Sequence, residues 1–103
     1  MTKKITSLEL RKLLKDSEGS ALVLFQGDWC PDCRAFKPSW DLWCRNREGP
    51  IFSIEVLRGA SEWIDWDIDE IPTVAVYCKG SEKDRAHGLI TEKDLARLWK
   101  HIH

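Results

Sequence analysis

The spacing of apolar residues changes several times along the chain, and each change marks an element. Thr6-Ser7-Leu8-Glu9 has the S/T-x-x-E form of a capping box, and Leu10, Leu13 and Leu14 then recur at helical spacing, which predicts a helix over Ser7–Ser17. Ala21-Leu22-Val23-Leu24-Phe25 is a continuous apolar run between Gly19-Ser20 and Gly27-Asp28, the pattern of a central strand covered on both faces. From Pro31 to about Asn46, Phe36, Trp40 and Trp43 return to helical spacing, with Pro38 inside as the expected source of a kink and Gly49-Pro50 as the stop.

Ile51 to Val56 reads as a second buried strand, and Ala60 to Trp66 as a short helix or turn. Thr73 to Cys78 is β-branched and apolar and predicts a third strand. Lys79-Gly80-Ser81 then turns the chain into a short return strand near Arg85–His87, closed by Gly88. Thr91-Glu92-Lys93-Asp94 opens a last helix whose apolar face is Leu95, Leu98, Trp99 and Ile102. A βαβ unit followed by a hairpin and a helix implies an α/β chain with a mixed sheet and helices on both faces.

At 103 residues with 43% apolar composition, the chain is expected to form one domain over 1–103 around one core. Sixteen basic against seventeen acidic residues remove the electrostatic signature of a nucleic-acid or anionic-membrane binder. The longest apolar run falls far short of the ~20 residues that span a bilayer. Met1-Thr2-Lys3-Lys4-Ile5 leads into a charged amphipathic stretch without an apolar leader segment, so a cytoplasmic protein is expected.

Of the four cysteines, only Cys30 and Cys33 form a close Cys-x-x-Cys pair, while Cys44 and Cys78 stand apart. The pair falls at the exit of a strand and the entrance of a helix. There the helix N–H groups and dipole favour thiolate at Cys30, the nucleophilic form, and Cys33 lies a turn further in, placed to resolve a mixed disulfide. Pro31 suits the first helical position because its missing N–H would have no partner there. A structural zinc site fits poorly, since the four cysteines do not form two knuckles, and no metal or bound cofactor is expected. An inert structural pair is the other alternative.

Trp29-Cys30-Pro31-Asp32-Cys33, Pro38 five residues after the second cysteine, and Ile71-Pro72-Thr73 leading a strand together resemble the thioredoxin family over nearly the whole chain. The resemblance implies a thioredoxin fold with four to five strands in its mixed sheet. It further implies a cis Pro72 packed against the cysteines, substrate docking by Ile71 and Thr73, shielding of the site by Trp29, and His87 at the rim of the substrate groove. It implies a thiol–disulfide oxidoreductase that reduces protein or small-molecule disulfides by Cys30 attack and Cys33 resolution and takes electrons from a thioredoxin-reductase-like donor, and a monomer is expected. A thioredoxin-fold binding module or chaperone without turnover is the alternative.

Three departures from the family stand out. The dipeptide between the cysteines is Pro31-Asp32 rather than Gly-Pro, which alters redox poise and sets a negative charge beside Cys30. Leu24 stands where most thioredoxins keep a buried aspartate, and Glu55 is aligned with a lysine near it, which suggests Glu55 as a relocated general base for Cys33. The loop Asp65-Trp66-Asp67-Ile68-Asp69-Glu70, with Asp28 and Asp32, is expected to ring the cysteines with negative charge and select partners with a basic docking face. Cys78 is expected to be a small core residue and Cys44 a partly exposed thiol on its helix. Trp40, Trp43 and Trp99 are expected to pack in the core.

Overall fold

The computed structural model describes residues 2–16 and 18–102. Met1, His103 and Ser17, the predicted last residue of the first helix, lie outside the described residues. The elements are β1 (Lys3–Lys4), α1 (Ser7–Asp16), β2 (Ser20–Gln26), α2 (Pro31–Arg45), β3 (Ile51–Glu55), α3 (Glu62–Asp65), β4 (Thr73–Cys78), β5 (Ser81–His87) and α4 (Glu92–Trp99). The strands form one sheet in the order β1-β3-β2-β4-β5. β1, β3 and β2 run parallel, and β4 and β5 are antiparallel additions.

β2 is apolar along its length because it has a core on each face. Ala21, Val23 and Phe25 point into one cluster with Leu10, Ile54 and Tyr77. Leu22 and Leu24 point into the other, with Trp40, Trp43 and Leu98. The alternation is the ordinary two-residue period of a strand, hidden in the sequence because both faces are buried. Phe36, Trp40, Trp43 and Trp99 form a chain of ring contacts with centroids 5.4–6.1 Å apart, so the aromatic stripe of α2 and α4 is core packing.

Both capping boxes form. Thr6 Oγ1 accepts from the Glu9 amide at 3.1 Å while Glu9 Oε1 accepts from the Thr6 amide at 3.0 Å. Thr91 and Asp94 repeat the exchange at α4. α2 continues through Pro38 to Arg45.

Two strands differ from expectation. β1 is a two-residue edge with both side chains exposed, held by backbone pairing to Phe52 and Ser53 and by the Ile5 amide donating to Ser53 O at 2.9 Å. Its ion pair, Lys4 Nζ to Glu55 at 3.9 Å, is solvent-exposed and contributes only about 0–1 kcal/mol, so the backbone holds the strand. β5 begins at Ser81 rather than near Arg85, because an edge strand keeps its charged residues in water and needs no apolar alternation. Cys78 is half-buried, its thiol donating to the His101 carbonyl at 3.1 Å, and so is not a full core residue. Cys44 corrects the opposite way: it is 2% exposed on the inner face of α2.

Burial raises the pKa of Cys33, Cys44 and Tyr77. A group raised in the folded state contributes stability below its unfolded pKa and loses it as pH climbs toward the folded value. The fold is therefore expected to weaken above the ordinary thiol and phenol range. The Tyr77 hydroxyl is buried without a hydrogen-bond partner among the described residues. Tyr77→Phe should change stability at neutral pH by less than about 1 kcal/mol, since an unpaired polar group is removed, and should flatten the alkaline limb in denaturant titrations.

Candidate active site

β2 ends at Gln26, and the next four residues carry the chain to α2. The Cys30 amide donates to Gly27 O at 3.0 Å, closing the turn. Cys30 then takes the N-cap position with extended backbone, and its sulfur accepts from the Cys33 amide at 3.3 Å. That amide is placed to stabilise the sulfur when it carries charge during exchange. Pro31 fills the first helical position, and Asp32 lies exposed in the first turn. Both sulfurs are free, with Cys30 7% and Cys33 3% exposed.

The two thiols sit in different surroundings. Cys30 faces the loop before β4, where its thiol donates to the Ile71 carbonyl at 3.6 Å. Cys33 is pushed up to about 12, first by burial and then by its hydrogen bond with Cys30, with the charges of Cys30 and Asp32 adding to the rise. The Gly27 backbone amide opposes this by bonding to the Cys33 sulfur. Both thiols are thus buried and differ in their neighbours: Cys30 lies against the loop before β4, and Cys33, a turn further in, keeps its proton.

The structure brings together most of the residues the sequence points to. The Ile71–Pro72 peptide is cis, Pro72 O accepts from the Gly88 amide at 3.1 Å, and Thr73 Oγ1 donates to Glu70 O at 2.6 Å. Thr73 is paired in register with His87, whose ring lies against the Glu70 carboxylate at the exposed rim. Trp29 covers the other side: its Nε1 donates to Val56 O at 2.9 Å, and its ring packs against Trp63 and under Arg58.

Glu55 is not brought to Cys33. It pairs with Lys4, and no hydrogen bond links it to the cysteine. The acidic ring is also partly neutralised. Arg11 pairs with Asp65 at 3.6 Å, Arg85 binds the carbonyls of Trp66 and Asp67, and Arg34 binds the Asp28 carbonyl.

Two features escaped the sequence reading. Gly27 was legible only as a strand boundary, yet a Cβ there would lie 2.6 Å from Trp29 Nε1 and 2.9 Å from Val56 O. A groove of about 460 Å³ runs beside Asp32 between Phe36 of α2, Glu70, and the exposed Leu89. Leu89 carries no signal in sequence, since a single apolar residue in a loop is unremarkable. Among the described residues, no three His, Cys, Asp or Glu side chains gather to hold a metal.

Residues 1–101 match the family model for thioredoxin. The chain belongs to the thioredoxin family. It is 33% identical over 92 residues to thioredoxin H-type from Brassica campestris, covering 87% of this chain and 74% of that one. Among solved structures, Fasciola hepatica thioredoxin superposes with a TM-score of 0.79 at 22% identity over 96% of this chain and 98% of the other. Schistosoma mansoni thioredoxin gives 0.82 at 17% over 98% and 95%. At such identities the structures show the thioredoxin fold, and the sequence match carries the function: this is a thiol–disulfide oxidoreductase. Family membership points to protein disulfides as substrates and a reductase as electron source. No helix among the described residues is long and apolar enough to cross a membrane.

Gly27→Ala should displace the Trp29 indole and cost about 1–3 kcal/mol, because the new methyl meets backbone on one side and a pinned ring on the other. Denaturant unfolding would measure the loss, and the Trp29 indole N–H resonance should shift in step. A variant with wild-type stability and an unmoved resonance would show that the turn yields freely.

Proposed function

We propose that the protein is a dithiol reductant in which Cys30 attacks and Cys33 resolves. The single observation that supports this most is the asymmetry of the pair. Cys30 caps the helix with an amide on its sulfur and lies against the Ile71 carbonyl of the docking loop, whereas Cys33, at 3% exposure against 7%, is set deeper and keeps its proton. The Cys30 thiolate attacks one sulfur of a substrate disulfide. That S–S bond breaks, its other sulfur leaves as a thiolate, and a mixed disulfide remains. Cys33 then loses its proton and attacks Cys30 Sγ, releasing the second substrate thiol and leaving a Cys30–Cys33 disulfide. A reductase of the thioredoxin-reductase type supplies two electrons to reopen it.

The docking surface in this reading is the backbone of Ile71 and Thr73 at Pro72, flanked by Trp29 and by His87. Pro31 and Asp32 set the poise of the pair. A reducing compartment such as the cytoplasm is the setting that favours this direction. The protein acts as one domain and as a monomer.

Insulin reduction driven by dithiothreitol is the direct test. Cys30→Ser should abolish turnover, and Cys33→Ser should retain attack and accumulate a mixed disulfide visible by mass spectrometry. Turnover persisting in Cys30→Ser would overthrow the assignment.

The exposed carboxylates of Asp28, Asp32, Asp67 and Asp69 still outnumber the arginines beside them, so substrates with a basic docking face are favoured. With a cationic disulfide peptide, kcat/KM should fall several-fold as salt rises from low to physiological strength, and an anionic peptide should show the reverse trend. Identical flat profiles would reduce the loop to a solvated rim.

A further inference from the structure

Cys33 lines an opening distinct from the groove beside Asp32 and Leu89. A depression of about 360 Å³ reaches it between α2 and the β1–β3 edge of the sheet, lined by Lys4, Leu24, Asp28, Lys37, Trp40 and Asp41 among others. The sheet order puts this opening on one side of β2 and the groove at Leu89 on the other. It is roomy enough for several waters. Trp40, which lines the depression, is 2% exposed, and its buried Nε1 donor has no hydrogen-bond partner among the described residues.

Resolution requires Cys33 to lose its proton, and burial opposes that loss. Leu24 supplies no acceptor. Glu55 is paired with Lys4 and does not line the depression, and the Asp41 carboxylate faces Lys37 Nζ at 3.6 Å. The Asp28 carboxylate has no ion-pair partner among the described residues; only its backbone carbonyl is engaged, by Arg34.

We propose that the proton of Cys33 leaves through this depression, by way of water, to the carboxylate of Asp28. The inference rests on Cys30 as the attacking and Cys33 as the resolving thiol. In the balanced step, Cys33 S–H gives its proton through water to Asp28, and the resulting thiolate attacks Cys30 Sγ. The bond from Cys30 to the substrate sulfur breaks, the substrate leaves as a thiolate, and Asp28 later returns its proton to solvent. No electrons enter or leave beyond those of the exchange itself.

The groups around Cys33 on every side are few. The first turn of α2 presents Cys30 and Asp32, both opposing a thiolate, and its next turns present Lys37 and Asp41. The turn before α2 presents the Gly27 amide and Asp28, with Arg34 on the Asp28 carbonyl. β1 and β3 present the Lys4–Glu55 pair, and β2 presents only Leu24 and Gln26. Asp28 is the acidic residue in this set that lines the depression and has no ion-pair partner among the described residues.

The test follows release of thionitrobenzoate from Cys30 after loading with Ellman's reagent, in a Cys78→Ala background, across a range of pH. The loading rate reports attack by Cys30 separately. Asp28→Asn should slow release about tenfold at neutral pH, within the usual reach of proton-transfer catalysis, and the gap should close as pH rises and hydroxide takes the proton. Asp28→Glu should restore most of the rate. Unchanged release in Asp28→Asn overturns the proposal, and faster release does so too, since the carboxylate would then only oppose the thiolate. Slowing in Glu55→Gln with normal release in Asp28→Asn moves the role to Glu55 and overturns it as well. If wild-type protein fails to release the label, or Cys33→Ser releases it equally, the underlying assignment of the two cysteines fails instead.

Discussion

The double burial of β2 is the constraint on which the rest of the structure depends. Its five apolar residues are shared between two cores, so helices must cover both faces, and it pairs with β3 on one side and β4 on the other. A strand so enclosed cannot slip by one residue without exchanging its whole set of side chains between the cores. The point at which the chain leaves the sheet is therefore fixed, and with it the turn from Gly27 to Cys30. The chemistry sits at the end of the most rigid element rather than on a free loop, which keeps a sulfur, an amide and a carbonyl within hydrogen-bonding reach of one another.

The pair works through a division between neighbours only three residues apart. Placement at the helix cap gives Cys30 a backbone donor on its sulfur, while the next turn carries Cys33 slightly deeper. Desolvation is the larger influence on Cys33, and the Gly27 amide only softens it. Such a pair holds its second thiol in reserve until the first has reacted. In most thioredoxins a buried carboxylate eases that reserve thiol into play. Leu24 instead extends the apolar floor among Trp40 and Val74 on the α2 face of the sheet.

Much of this was legible in the residues because the signals are local. Caps at Thr6 and Thr91, the run at 21–25 and the strand-to-helix setting of Cys30 each follow from short-range patterns, and the structure has them where the pattern put them. What escaped were features with no local signal. β1 consists of two exposed lysines held to the sheet chiefly by main-chain pairing, and β5 is a charged edge that lacks alternation. Glu55 lies on the strand that was expected, but a partner for its carboxylate depended on where Lys4 came to rest. The acidic loop was visible as composition, while the arginines that reach it come from α1, α2 and β5, which no reading of neighbouring residues could bring together.

Arg85 joins more of the molecule than any of those arginines. Its guanidinium binds both carboxylate oxygens of Glu82 and the carbonyls of Trp66 and Asp67, while its own carbonyl accepts from Arg97 of α4. Arg97 in turn holds Asp84 and Asp94. A tether thus runs from the C-terminal helix across the outermost strand to the loop that precedes Pro72. Mechanically, this is a load path: a force applied to α4, from a fused domain or a surface on which the protein is immobilised, is delivered through Arg97 and Arg85 to the loop whose backbone leads to Pro72 beside Cys30.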